Sequence, residues 1–214
     1  MNNKNKIYKI YKILFDHFGP QYWWPAETRF EVIVGAMLTQ NAAWSNVEKA
    51  IENLKKEKVL SFDKLLKIKN ARLAKLIRPA GYFNVKTKRL KNLLYFIKHN
   101  YKGNLQAMQK MRLGKIRQEL LSVSGVGKET ADSIILYALD RPIFVVDAYT
   151  KRVLSRHGLA SLDSSYDDIA NIFVSSLKNS VLLFKEFHAL IVRLAKDYCK
   201  KTKPLCQGCP LKEI

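Results

Sequence analysis

Apolar residues recur at the spacing of an amphipathic helix along most of this sequence, and no stretch alternates long enough to predict a sheet. Thr28 and Glu31 have the spacing of a capping box, which satisfies backbone amides at the start of a helix. After them, one helical face carries the apolar residues Phe30, Ile33, Val34 and Met37. The pattern predicts an all-α fold.

Further helices are predicted from the same periodicity, and short connections join them without a repeat or a low-complexity linker. They cover residues 4–16, 44–57, 61–68, 70–78, 86–99, 104–110, 113–122, 128–139, 148–157, 165–178 and 181–200. A chain of 214 residues is long enough for one large domain or two small ones that share an interface.

The chain is strongly basic, with 38 Lys and Arg against 18 Asp and Glu and a net charge of +20. Such an excess favours a polyanionic partner, because cationic side chains that neutralise phosphates release counterions. The alternative is that the excess of lysine reflects only a soluble protein of a thermophile or of an AT-rich genome and no polyanionic partner. The apolar runs are too short to span a bilayer, and the N-terminus lacks a signal-peptide core. With three cysteines near the C-terminus, we expect an intracellular protein without disulfides.

Gly125-Val126-Gly127 lies between two predicted helices, each with one apolar face. Those faces carry Leu113, Ile116 and Leu120 before the loop and Ala131, Ile134, Ile135 and Ala138 after it. The glycines allow positive φ and close approach of a ligand, and Val126 can fill the space between the helices. Amides at the start of the second helix favour an anion. We interpret this as a helix-hairpin-helix that holds a DNA phosphate without reading sequence; the alternative is an ordinary helix-helix turn.

Asp147 follows the apolar run Phe-Val-Val and precedes another predicted helix. As an N-cap it would satisfy the first amides of that helix. As a catalytic group it would stabilise positive charge on a sugar or orient a water molecule. Both interpretations stay open from the residues alone.

Several segments together resemble a known family. "GVGKETAD" followed by "VVDAYTKRV" resembles the hairpin and catalytic-Asp segment of the helix-hairpin-helix DNA glycosylases, the endonuclease III superfamily. "FEVIVGAMLTQN", "GYFNVKTKRL" and "CKKTKPLCQGC" resemble its damaged-strand helix, its wedge loop and the start of its cluster loop. The likeness runs from about Trp23 to Cys209. It implies a six-helix barrel over 22–139 and a second helical lobe formed by 1–21 and 140–214.

The resemblance implies a cytoplasmic, nucleoid-associated monomer that flips a damaged base out of double-stranded DNA and removes it. Asp147 would then stabilise the sugar as the base leaves. Gln40 and Tyr82 would fill the gap in the helix, although each also has an ordinary structural interpretation. The hairpin residues implied to contact a phosphate are Gly125, Val126, Gly127 and Lys128.

Trp23, Trp24 and Trp44 bracket the implied base pocket. Aromatic rings are common in cores, but these rings could also stack on a cationic alkylated purine. Their pattern is most similar to the 3-methyladenine glycosylase branch, which implies an alkylated purine as substrate. In the family's lyases, a Lys stands where this chain has Glu129, and Lys128 is one residue early. The prediction is therefore a monofunctional enzyme. The alternatives are a glycosylase and abasic-site lyase on oxidised pyrimidines, and a non-catalytic hairpin protein that binds DNA.

Cys199, Cys206 and Cys209 match the first three ligands of the family's [4Fe–4S] loop, while the sequence has no fourth cysteine. Three interpretations remain open: the printed sequence ends before that ligand, three cysteines hold the cluster, or the loop is a vestige. A zinc site would also need a fourth ligand. His188 lies on a strongly apolar predicted helix, and we interpret it as a structural, hydrogen-bonded histidine.

Overall fold

The structure, a computed structural model, describes residues 3–214 and is helical, with no strand in that range. The predicted all-α fold is confirmed. Twelve α-helices are described over those residues: α1 Asn3–Phe18, α2 Arg29–Leu38, α3 Trp44–Lys56, α4 Phe62–Lys67, α5 Asn70–Leu76, α6 Phe83–Tyr101, α7 Leu105–Lys110, α8 Leu113–Leu121, α9 Lys128–Ser133, α10 Ala148–Arg156, α11 Tyr166–Ser176 and α12 Val181–Asp197. Short 3-10 turns cover Arg78–Ala80 and Cys206–Gly208. None of the helices within the described residues is long and apolar enough to cross a membrane.

The chain divides into two compact units, an internal unit, Ala26–Arg141, and a terminal unit, Met1–Pro25 with Pro142–Ile214. The predicted lobes, 22–139 and 1–21 with 140–214, are drawn a few residues differently and stay a prediction. In the internal unit, α2 is the central helix, and its residues from Glu31 to Leu38 are all buried. This burial explains why the segment is almost uniformly apolar.

Aromatic side chains form the core of the terminal unit. The rings of Phe144 and Phe173 stack with their centroids 3.6 Å apart, and Phe184 and Phe187 meet Phe144 edge-on. Because aromatic side chains bury large areas, this cluster fixes α11 and α12 around the segment that leads into α10. The end of that segment is Asp147.

The predicted capping box forms only in part. The Thr28 hydroxyl accepts the Glu31 amide at 3.1 Å, as predicted. The Glu31 carboxylate instead accepts the amide of Glu27 at 3.3 Å and pairs with Lys55 at 2.9 Å. The cation on α3 offers a charge-assisted partner, which the local sequence pattern does not include.

The helix predicted over 128–139 changes its winding partway along. After α9 the backbone widens into a π turn over Ile134–Ala138, in which the Leu139 amide donates to the Ile134 carbonyl at 3.0 Å. All five residues of this turn are buried. The four residues of the predicted apolar face are buried, but so is every other residue from Thr130 to Leu139, so this segment is buried all round and not on one face alone.

Candidate functional site

The hairpin between α8 and α9 has one glycine that the backbone requires. Gly125 has a φ of +97°, and a Cβ at this position would lie 2.2 Å from Cγ of Arg89. Gly127 has a φ of −93°, so only Gly125 supplies the positive φ that the glycines were expected to allow. Its extended backbone is the N-cap of α9, a conformation open to other residues. Val126 is buried, as the interpretation of this residue as a plug requires.

Gln40 is bound to the hairpin. Its Nε2 donates to the Gly125 carbonyl at 2.9 Å and to the Thr130 hydroxyl at 3.0 Å, while its Oε1 accepts from Arg89 at 2.7 Å. From α6, Asn92 donates to the Ser124 carbonyl at 3.1 Å. The residues after α2 and the hairpin are therefore joined through one amide side chain. No sequence pattern indicates the role of Arg89, which contacts Gln40 from another helix.

Tyr82, the other predicted wedge, is exposed over 72% of its surface and has a φ of +45°. Such a backbone is strained for a residue with a Cβ, and an exposed aromatic ring gains little from folding. Both features suit a side chain that acts on a ligand. Lys128 and Glu129 are also exposed, in the first turn of α9. The wedge and phosphate-contact roles stay predictions.

Asp147 is the N-cap of α10. Its backbone is extended, and its Oδ1 accepts the Thr150 amide at 2.7 Å. The capping interpretation of the sequence is thus confirmed as geometry. An N-cap carboxylate still has a second oxygen, so this finding leaves the catalytic interpretation open.

That second oxygen lies 3.5 Å from Nε2 of His188 on α12, and the two side chains are 14% and 7% exposed. Burial by itself would raise the pKa of Asp147, but His188 and the Thr150 amide outweigh burial, and the pKa lies below its ordinary value. Asp147 is therefore a carboxylate at neutral pH. The sequence predicts His188 in the core but does not indicate that it lies beside Asp147, because the two residues are far apart in the sequence.

The three tryptophans are all partly buried. In the terminal unit, Lys196 places its Nζ 5.5 Å from the ring centroid of Trp23. In the internal unit, Nε1 of Trp44 donates to Glu48 at 2.7 Å. Trp24 follows Trp23 directly in the terminal unit. The base-pocket role of these residues stays a prediction.

The cysteines do not form a ligand set as they are placed. Cys199 and Cys209 are buried, whereas Cys206 is exposed. From α10, Nη1 of Arg156 lies 3.3 Å from the Cys199 sulfur, and Arg152 donates to the Cys199 carbonyl at 2.8 Å. No three His, Cys, Asp or Glu side chains within residues 3–214 are placed to share a metal ion.

An iron–sulfur cluster takes four thiolates, and a guanidinium directed at one of three sulfurs is unsuited to that role. Burial raises the pKa of the Cys209 thiol, and the neighbouring thiols raise it further. The residues present, as they are placed, do not fit the cluster that the cysteine spacing suggests.

The chain is similar to known DNA repair proteins. Residues 34–179 match the model of the HhH-GPD superfamily base excision DNA repair proteins. A protein of Methanocaldococcus jannaschii, named as a DNA repair glycosylase, is 56% identical over 100% of this chain and 97% of its own length. Endonuclease III of Rickettsia felis is 29% identical over 98% of this chain and 92% of its own length.

A solved structure of similar fold is also related in sequence. The crystal structure of H. pylori 3-methyladenine DNA glycosylase bound to 1,N6-ethenoadenine has a TM-score of 0.77 and is 28% identical. The match covers 92% of this chain and 98% of that one.

Proposed function

Because the chain belongs to the HhH-GPD superfamily of base excision DNA repair proteins and is a DNA glycosylase, we propose that it is monofunctional and removes an alkylated purine from double-stranded DNA. The observation that carries the proposal is the pair of carboxylates: a partly buried, ionised Asp147 and, at the position of the lyases' amine, an exposed Glu129. Asp147 supplies the charge that base release needs. Glu129 cannot supply the amine that strand cleavage needs.

The reaction breaks the bond between C1′ of the sugar and a nitrogen of the base. The bonding electrons leave with the base, so positive charge develops on the sugar ring. Asp147 is suited to stabilise that charge, because the Thr150 amide fixes its Oδ1 and its Oδ2 lies 3.5 Å from Nε2 of His188. A water molecule then adds to C1′ and loses a proton, which leaves an abasic site in an intact strand.

A lyase would instead need an amine that attacks C1′ and forms a Schiff base. Glu129 has no such group. Lys128 is one residue earlier on α9, and one residue corresponds to about 100° of rotation around a helix. Lys128 therefore cannot occupy the direction in which the side chain at 129 points, and we assign it to phosphate contact through its exposed charge.

The substrate class is supported by the tryptophans and by the H. pylori enzyme, whose structure contains 1,N6-ethenoadenine. Within that class, Lys196 favours a neutral base. Its ammonium already lies against the ring of Trp23, and a cationic base that stacks on this ring would be repelled. We therefore expect neutral 1,N6-ethenoadenine to be a better substrate than cationic 3-methyladenine.

The test is a panel of duplexes that each carry one altered base: 1,N6-ethenoadenine, 3-methyladenine, thymine glycol, or thymine or uracil opposite guanine. Base release and strand scission are scored separately, with and without hot alkali. We expect release of alkylated purines, with scission only after alkali. Release of thymine glycol with strand scission in the absence of alkali would favour the lyase alternative. The similarity to endonuclease III is the reason to test that alternative. Binding of DNA without release from any duplex would contradict the proposal as a whole.

A further inference from the structure

Lys86 on α6 is a fully interior cation, with 2% of its surface exposed. Its Nζ donates to the carbonyls of Leu38 and Ala80, each at 2.7 Å. Burial lowers the pKa of this ammonium, and Arg89 lowers it further. A buried cation destabilises the fold unless it is hydrogen-bonded. The two hydrogen bonds of Lys86 therefore stabilise the segments that carry the two carbonyls.

Each of the two carbonyls lies at the end of a helical turn, and each belongs to a residue that comes shortly before a predicted wedge residue. Leu38 is the last residue of α2, two residues before Gln40. Ala80 ends the 3-10 turn, two residues before Tyr82. Terminal carbonyls of helices carry partial negative charge and attract a cation. One ammonium thus ties the two segments to each other and to α6.

Arg89, one turn further along α6, continues the same connection. Its guanidinium donates to Gln40, and its stem occupies the space beside Gly125, where a Cβ would meet it at 2.2 Å. Gln40 in turn donates to the Gly125 carbonyl. The hairpin and the segments that carry both predicted wedges are therefore joined through one stretch of α6.

We propose that Lys86 is a positioning residue that holds the Gln40 and Tyr82 segments at a fixed spacing, so that both side chains enter the DNA helix as one rigid unit. The proposal rests on the proposed function, because it presupposes that this protein extrudes a base. Lys86 touches neither DNA nor the reacting atoms. Without its ammonium, the direct tie between the Leu38 and Ala80 carbonyls is lost and only the Arg89 contact still holds Gln40 to α6. Insertion then becomes slow although DNA still binds.

The chain offers a matched control in Lys91, five residues along α6. Lys91 is 5% exposed, and its Nζ donates to two carbonyls, of Leu66 at 2.8 Å and of Ile68 at 2.7 Å. Those carbonyls lie at the end of α4, away from the predicted wedges in sequence. Lys86→Met and Lys91→Met therefore remove equivalent interactions and differ in which segments they release.

The experiment uses the full chain and a duplex in which a tetrahydrofuran abasic analogue is flanked by 2-aminopurine, whose fluorescence reports insertion. We expect Lys86→Met to bind this duplex within about twofold of wild type, because phosphate contacts dominate affinity. The fluorescence change of this variant should be at least roughly tenfold slower than that of wild type, because small displacements of positioned groups lower rates strongly. Lys91→Met should insert at the wild-type rate, and the thermal unfolding of both variants shows whether they lose equal stability.

Equal slowing in the two variants, or slowing in neither, overturns the proposal. If Lys86→Met does not fold, Lys86→Gln and Lys91→Gln take the same places, since an amide can still donate to one carbonyl. Slow insertion by the Lys86 variant alone supports the proposal even if wild type releases no alkylated purine from the duplex panel. In that case the positioning role stands and the proposed substrate fails.

Discussion

The two oxygens of the Asp147 carboxylate have different neighbours: Oδ1 accepts the Thr150 amide at 2.7 Å, and Oδ2 lies 3.5 Å from Nε2 of His188. The first contact belongs to the start of α10, and the second comes from α12. One side chain therefore caps a helix and presents an oriented negative charge. The two roles can be separated, because an asparagine can keep the cap and lose the charge.

Asp147→Asn should fold normally and bind DNA with little change. Base release should fall by roughly 10²- to 10⁴-fold, which is the usual range for the loss of a positioned catalytic group. Single-turnover release from the preferred duplex gives the rate, and circular dichroism gives the folded fraction.

The control for capping is Ser165→Ala, because the Ser165 hydroxyl accepts the Asp168 amide at 3.2 Å at the start of α11. This variant should lose about 1 kcal/mol of stability and keep its activity. A destabilised Asp147→Asn with normal activity per folded molecule would show that Asp147 is only a cap.

Stability should depend on pH through Asp147. Its folded pKa lies below the ordinary value of 3.8, so the carboxylate stabilises the folded state at pH values above that figure. The contribution is lost as the pH falls through the folded pKa. The difference in unfolding free energy between wild type and Asp147→Asn should therefore be largest near neutrality and shrink in acid. A difference that stays constant down to the acid limit would contradict the shift.

His188→Phe should raise the pKa of Asp147. Removal of the imidazole leaves burial, which raises this pKa, opposed only by Thr150. The acid limb of the pH profile of base release should move to higher pH, while the alkaline side is unchanged. His99→Phe, at an exposed position on α6, is the control and should leave the profile where it is.

Borohydride should fail to trap the wild-type protein on DNA that carries its substrate. Glu129→Lys introduces an amine at the lyase position and should gain trapping and strand cleavage. Both should be slow, because the surrounding residues do not lower the pKa of the introduced amine. Efficient trapping of wild type that disappears in Lys128→Ala would mean that Lys128 is the nucleophile and that the enzyme is bifunctional.

Lys196→Met should change which alkylated purine is preferred. Without the ammonium beside Trp23, a cationic base no longer meets a like charge at that ring. The ratio of release rates for 3-methyladenine over 1,N6-ethenoadenine should rise, by roughly fivefold if about 1 kcal/mol of repulsion is removed. Lys185→Met, on the same helix, should leave the ratio unchanged, and a ratio that is equal in all three proteins would exclude Trp23 from the base pocket.

The chain should bind little iron. Anaerobically purified protein is expected to lack the broad visible absorption of a cluster and to contain far less iron and acid-labile sulfide than the four of each in a full cluster. Arg156→Ala removes the guanidinium beside Cys199 and should loosen the loop without restoring iron. Brown protein with stoichiometric iron and sulfide would show that the cysteines rearrange around a cluster.

Periodicity was sufficient to predict the helices, since each must bury one apolar face. It was not sufficient for the polar connections, which depend on residues far apart in the sequence. Nothing near Asp147 indicates His188, and nothing near Gln40 indicates that its amide binds the hairpin. The capping box at Thr28 and Glu31 forms only in part for the same reason, because Lys55 on another helix pairs with the Glu31 carboxylate.

Lys86 and Lys91 could have been found from the sequence. They occur in the run "KTKRLK", which has the composition of a solvated basic surface. Helical spacing nevertheless places them on the same face as Leu90 and Leu94, both of which are buried. A charged residue on the apolar face of a predicted helix is thus a reason to look for carbonyls that it can reach.

The buried ammonium groups of α6 also give the fold a particular dependence on temperature. Hydration of a cation carries a strongly negative entropy, so the free energy lost when Lys86 and Lys91 leave water becomes smaller as the protein warms. Their hydrogen bonds to carbonyls are kept meanwhile. The desolvation of Lys86 and Lys91 therefore destabilises the internal unit least at high temperature and most at low temperature.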